Sequence, residues 1–222
     1  MFPRRFLRSE RVWRLSGLSW PTAVLATRGR LQGPLEYIAA SRRQMTQILP
    51  WIHRDARIVE YGCGLGGNLV AIHSMVRQGL GVDVNQRYLR LAKRLAERVG
   101  ARNLEFQVVS GRGWNVSGRV DTAFSVGVFE RLDGQTVRAA LSMIRGCLAA
   151  GGVGIFSFLS PRALSSSMVN LLGRDAYTTW TRSQIAAVVD EAGLELLELR
   201  AWLSLNPADP SVADLAVVRR GS

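Results

Sequence analysis

One stretch constrains this chain more than any other. Arg57-Ile58-Val59-Glu60-Tyr61 runs directly into Gly62-Cys63-Gly64-Leu65-Gly66-Gly67-Asn68. Glycine reaches backbone conformations closed to other residues and lets main chain approach a neighbour without a Cβ between them. A β-prone pentad followed by four glycines in six positions is too ordered for an ordinary surface turn. It reads as a strand that turns sharply into a helix, with free N–H groups presented at the turn.

The flanking sequence supplies the fold around that turn. Leu35 to Leu49 has helical spacing closed by Pro50, and Asn68 to Gln78 reads as a helix with Gly79 as its C-cap. Leu80 to Val84 is a second strand, Gln86 to Val99 a second helix ending at Gly100, Leu104 to Val109 a third strand and Val120 to Val126 a fourth. Thr136 to Ala149 is a helix capped by Gly151-Gly152, and Val153 to Leu159 is an apolar fifth strand. Ser183 to Ala192 is a last helix, after which Leu194 to Leu203 and Asp214 to Arg219 are joined by a loop and pair antiparallel. Strands alternating with helices over short links predict an α/β fold: a Rossmann-like, seven-stranded, mostly parallel sheet with helices on both faces and an antiparallel C-terminal hairpin strand. Ser160 to Thr181 is the least regular part of the second half and the expected lid.

Charge divides the chain differently. The 222 residues carry +12, and 28 of the 29 basic residues are arginine, Lys93 being the exception. Residues 1–57 hold 11 arginines against 3 acids, so +8 lies in the first quarter. From Phe2 to Arg30, arginines interleave with Phe6, Trp13 and Trp20 and with Leu and Val. The expected organisation is a basic, aromatic arm over 1–34 and one α/β domain over 35–222. Such an arm suits an anionic membrane surface or a cap over a site better than nucleic acid. No apolar run reaches the ~18 residues of a membrane-spanning helix, and arginines interrupt every candidate signal region. Two cysteines, Cys63 and Cys147, make no disulfide framework, and the expected location is cytoplasmic, with peripheral membrane contact open.

The glycine loop satisfies two patterns. Gly62, Gly64 and Gly67 fit the G-x-G-x-x-G of dinucleotide-binding folds. Glu60, Gly62, Gly64 and Gly66 fit E/D-x-G-x-G-x-G. The acid separates them: beside a pyrophosphate it is a like charge, beside an ammonium group a favourable partner. Asp83, ending Gly81-Val82-Asp83-Val84 at 23 residues beyond Glu60, accepts ribose hydroxyls in either case.

From these residues the chain resembles the class I S-adenosylmethionine-dependent methyltransferases, of the small-molecule, methyltransferase type 11/12-like kind. Val120 to Leu132 is similar to the family's fourth-strand motif, Leu141 to Phe158 to its fifth-strand segment, and Thr178 to Leu197 to its last helix and turn. The match runs from about Leu35 to Arg219 and leaves the arm uncovered. The resemblance implies S-adenosylmethionine as cofactor and Glu60, Gly62, Gly64, Gly66, Asp83, Val84, Ser110 and Gly111 as its binding residues. Three positions depart from the pattern, one of them slight: Ala150-Gly151-Gly152 stands before the fifth strand where the family has Pro-Gly-Gly. Ser110 stands where the family often has an acid for the adenine amino group, and Arg131 where many members have His. Arginine stays protonated and cannot act as a base.

Transfer from a sulfonium methyl proceeds largely by positioning, so the sequence need not show a base. Glu130 is the candidate acceptor-side residue. Tyr177 and Trp180 are candidate pocket walls, equally readable as core. His53 reads as a surface residue and His73 as packing. The expected function is methyl transfer to a small-molecule acceptor without a metal. Two alternatives stay open: an RNA or DNA methyltransferase using the basic arm, and a non-catalytic S-adenosylmethionine-binding protein. No N/D-P-P-Y/F tetrapeptide or Pro-Cys pair supports the nucleic-acid alternative.

Overall fold

A computed structural model describes residues 33–109, 116, 118–162, 177–202 and 213–221. Their seven strands, β1 (Arg57–Tyr61), β2 (Gln78–Asp83), β3 (Leu104–Val108), β4 (Val120–Ser125), β5 (Leu148–Leu159), β6 (Leu194–Trp202) and β7 (Ala213–Arg220), form one sheet in the order β3-β2-β1-β4-β5-β7-β6. The chain divides into two units, 1–114 and 115–222.

In the first unit, α1 (Pro34–Met45) starts with proline at its first position, and the Glu36 carboxylate accepts from the Gly33 N–H at 3.1 Å. β1 (Arg57–Tyr61) pairs in parallel with β2 (Gln78–Asp83), and β2 in parallel with β3 (Leu104–Val108), with Glu60 opposite Gly81 and Asp83 opposite Val108. Between β1 and β2, α2 covers only Gly67–Ile72, followed by a 3-10 turn over His73–Met75. The expected helix to Gln78 stops early because the Asn103 amide donates to the His73 and Val76 carbonyls at 2.8 and 2.9 Å. Gly79 is therefore no C-cap. It lies inside β2, where a Cβ would meet Leu104 Cδ2 at 2.7 Å. α3 spans Gln86–Val99 as expected. Asn85 caps it by accepting from the Arg87 and Tyr88 N–H groups, and Gly100 ends it at φ 74°. Tyr37 and Ile38 of α1, Leu65 and Val70, and Tyr88, Leu95 and Ala96 of α3 share one buried cluster.

In the second unit, β4 (Val120–Ser125) pairs in parallel with β5 (Leu148–Leu159). α4 (Gly134–Cys147) starts two residues earlier than expected, because the Asp133 carboxylate caps it by accepting from the Thr136 N–H at 2.8 Å. β5 begins at Leu148, so Gly151-Gly152 does not cap the preceding helix. It sits within the strand where the β4–β5 register shifts, with Gly151 at φ 72°. α5 (Arg182–Glu191) has a Thr181–Gln184 capping box. β6 (Leu194–Trp202) and β7 (Ala213–Arg220) form the expected antiparallel pair, and β7 also runs antiparallel to β5. Asp214 on β7 accepts from Arg182 at 2.8 Å.

Residues 1–32 of the expected 1–34 arm, Ser110 and Gly111, and the centre of the expected lid (163–176) lie outside the described residues; Pro34 already belongs to α1. No helix among the described residues is long and apolar enough to cross a membrane.

Candidate functional site

The glycine loop folds by abandoning side chains where the chain must turn. Gly62, Gly64 and Gly66 all have positive φ, at 72°, 53° and 70°, the region L side chains avoid. The Gly62 and Cys63 N–H groups both donate to the Val82 carbonyl, at 2.7 and 3.0 Å, drawing the turn against β2. A Cβ at Gly66 would meet the Phe106 ring at 2.8 Å, and one at Gly67 would overlap Tyr37 and approach Ser41 Oγ at 2.6 Å.

Two carboxylates face this turn from the ends of β1 and β2. Asp83 accepts the Gly64 N–H through Oδ2 at 2.9 Å and the Asn85 N–H through Oδ1 at 2.8 Å. Burial pushes its carboxyl above the usual aspartate range, against the N–H groups of Asn85, Gly64 and Val84, which favour the charged form. Glu60 is 2% exposed, and its Oε1 accepts from Asn68 Nδ2 at 2.7 Å. Asn68 Oδ1 is buried with no hydrogen-bond partner among the described residues. The Cys63 thiol lies wholly inside, its pKa pushed well up by burial and by Asp83 and Glu60, so it is not a nucleophile. Past Asp83, Val84 is 68% exposed, and Val108, opposite Asp83 at the end of β3, is 43% exposed. Two exposed apolar side chains at one sheet edge are suited to a flat ring.

Sequence reasoning gave no role to Asn68 or Val108. Asn68 had a signal: it is the one polar side chain in a six-residue apolar helix, directly after the glycines. Val108 had none, because strand spacing alone does not say which residue ends at the ligand edge.

In the second unit, Glu130 sits in a 3-10 turn (Phe129–Arg131) after β4. Its Oε2 is buried without a hydrogen-bond partner among the described residues. Burial raises its pKa, and the neighbouring Arg131 opposes the shift. The Thr178 N–H donates to the Glu130 carbonyl at 2.7 Å, and the Trp180 N–H to the Leu159 carbonyl at 2.8 Å. These bonds tie residues 177–180 to the 3-10 turn after β4 and to the end of β5. Arg131 lies over the Tyr177 ring at 5.2 Å. Trp180 packs edge-on against Phe158 and is 6% exposed, so it is core. His53 is exposed, and His73 is held by the Val70 carbonyl at 2.7 Å.

Glu60, Gly62, Gly64, Gly66, Asp83 and Val84 thus come together at one edge of the first unit. Ser110 and Gly111 lie outside the described residues, and Glu130 belongs to the second unit. The donor set fits S-adenosylmethionine. A buried acid with an adjoining unpartnered amide oxygen is suited to an ammonium group and unsuited to a pyrophosphate. Among the described residues no group of three or more His, Cys, Asp or Glu side chains is placed to hold a metal ion.

Residues 58–152 match a family model described as a methyltransferase domain. No curated protein matches the chain. Among solved structures, magnesium protoporphyrin IX methyltransferase from Synechocystis with bound SAH aligns at TM-score 0.71 and 13% identity, over 98% of this chain and 100% of that one. An S-adenosylmethionine-dependent methyltransferase from Clostridium acetobutylicum aligns at 0.66 and 12%, over 90% and 96%. A chain of the Haloferax volcanii complex between the Trm112 methyltransferase activator and a methyltransferase aligns at 0.65 and 16%, over 84% and 98%.

Proposed function

We propose that this chain transfers a methyl group from S-adenosylmethionine to a small-molecule acceptor, a reading supported by the match of residues 58–152 to a methyltransferase-domain model and by a fold like that of S-adenosylmethionine-dependent methyltransferases. The observation that carries this reading is the pairing of buried Glu60 with Asn68 beneath a loop whose three glycines all have positive φ. Bound S-adenosylmethionine supplies a sulfonium methyl, an electrophile that needs no further activation.

The residues then hold and orient. Glu60 and Asn68 present oxygen to the ammonium end of the cofactor. Asp83 spends one lone pair of each oxygen on Gly64 and Asn85 and keeps the other two for ribose hydroxyls. Val84 and Val108 flank the adenine. Much of the rate comes from fixing the acceptor in line with the methyl group. Glu130 is the acceptor-side residue. Its raised pKa moves a carboxyl towards the range where a group can take or give a proton near neutral pH. Arg131 stays protonated and has no base role.

The reading includes a cytoplasmic enzyme with a methyltransferase domain over 35–222 and an arm over 1–34. The free thiols of Cys63 and Cys147 support a reducing compartment. The test is incubation of purified protein with methyl-labelled S-adenosylmethionine and a broad metabolite extract. Label in an extracted small molecule supports the proposal. Label only in added RNA or DNA, or cofactor binding without any transfer, overturns it in favour of a nucleic-acid enzyme or a non-catalytic binder.

A further inference from the structure

The charge of the first unit is arranged unlike that of the second. Among the described residues, Arg138–Glu191, Arg182–Asp214, Arg200–Glu198 and Arg219–Glu195 are ion pairs of the second unit. In the first unit, the side chains of Arg42, Arg43, Arg90, Lys93, Arg94 and Arg98 are exposed and have no ion-pair partner among the described residues. The last four belong to α3, whose 14 residues hold five cations and one acid, Glu97. Arg87, Arg94 and Arg98 fall on one flank of that helix and Arg90 beside them. Like charges at such spacing destabilise a helix, so the stripe is not there for α3's own stability.

The same unit carries an apolar opening. Leu35, at the head of α1, is 81% exposed, the most exposed large apolar side chain among the described residues. It lines a groove with Ile38, Arg42, Val70, His73 and Val99, so α1 and the end of α3 share its walls. In the sequence, the basic, aromatic stretch over 2–30 precedes Leu35.

We propose that the α1–α3 face of the first unit docks on an anionic lipid bilayer, the exposed cations of α3 and α1 meeting lipid phosphates and Leu35 entering the layer beneath them. Charge complementarity requires an anionic partner. The exposed leucine beside an apolar groove selects a bilayer over a nucleic acid. A bilayer has an apolar layer under its phosphates, which a duplex does not offer. Docking here does not depend on methyl transfer, and the two stand or fall separately.

The test is co-sedimentation of the full-length chain with vesicles of phosphatidylcholine containing about one-third phosphatidylserine, against phosphatidylcholine alone. Binding only to the anionic vesicles is expected. Replacing Arg90, Lys93, Arg94 and Arg98 together by Gln, all on the exposed side of α3, is expected to lower the partition constant several hundredfold, about fivefold per cation. Leu35→Glu is expected to remove the binding that survives raised salt, where charge is screened. Circular dichroism and S-adenosylhomocysteine calorimetry on the same variants should stay unchanged, which separates loss of docking from loss of fold or cofactor site. The proposal is overturned if the four-site variant sediments like the wild type, or if the wild type binds neutral vesicles equally well. Tighter binding to duplex RNA than to anionic vesicles at equal salt, lost in the four-site variant, would overturn it in favour of a nucleic-acid face.

Discussion

Substituting Gly66 by Ala separates two costs that the structure places on the glycine loop. The first is conformational. Gly66 has φ 70°, and an L residue there costs ~1–2 kcal/mol. The second is steric. A Cβ would lie 2.8 and 3.0 Å from two carbons of the Phe106 ring and 3.1 Å from Ala92 Cβ. Ala92 is fully buried on α3, and forcing a methyl into such a packed space costs ~1–3 kcal/mol. Together Gly66→Ala should lose about 2–5 kcal/mol. Gly100 provides the control. Its φ is 74° and a Cβ there meets nothing within 4 Å, so Gly100→Ala should lose only the conformational ~1–2 kcal/mol. The gain from stiffening the unfolded chain is the same for both and cancels in the difference. Urea unfolding followed by far-ultraviolet circular dichroism gives the two losses, and calorimetry with S-adenosylhomocysteine reads the loop. Gly66→Ala should also weaken the cofactor, whereas Gly100→Ala should not. If the two variants lose equal stability, the close approach of the loop to Phe106 and Ala92 is not part of the native fold, and the argument fails.

Asp83→Asn leaves one acceptor oxygen for the two N–H donors of Gly64 and Asn85, and should weaken S-adenosylhomocysteine by ~10–100-fold in calorimetry, the worth of a lost charged hydrogen bond. Because burial holds the Asp83 carboxyl above its ordinary value, wild-type affinity should fall on acidification at a higher pH than an unperturbed aspartate near 3.9 would allow, and the Asn variant should not show this fall. Glu130→Gln should lower turnover while leaving cofactor affinity unchanged. Its folded state holds the proton to higher pH than the unfolded chain does, so wild-type stability should decline as pH rises from the ordinary glutamate value through the raised one; the Gln variant should lack that decline in pH-dependent thermal melts. Burial puts the Cys147 thiol at about 11 and pushes Cys63 well up, so both should resist alkylation at mildly alkaline pH and react only on denaturation, as read by mass spectrometry.

Where local chemistry decides an element, the residues announced it. α3 has the ends expected because Asn85 and Gly100 are both specific caps, acting within one turn of the helix. The helix after the glycine loop was misjudged for the opposite reason. Its end is set by Asn103, 30 residues beyond His73, and no local pattern carries that information. The same holds for Gly79 and Gly151, which looked like helix caps. One makes room for Leu104 in a parallel strand, and the other lets β5 bend where its register shifts. That Glu60, the glycines and Asp83 meet at one edge was legible, since their types and spacing are dictated by the turn itself. Asn68 and Val108 were not, because their roles come from what lies opposite them in space.

The most direct measurement of the central claim is calorimetric titration of the purified chain with S-adenosylhomocysteine and, separately, with NAD. The account predicts saturable heat with S-adenosylhomocysteine, strongly reduced in Asp83→Asn, and none with NAD. Saturable heat with NAD and none with S-adenosylhomocysteine would show that the loop after β1 holds a pyrophosphate despite Glu60, and would contradict the account.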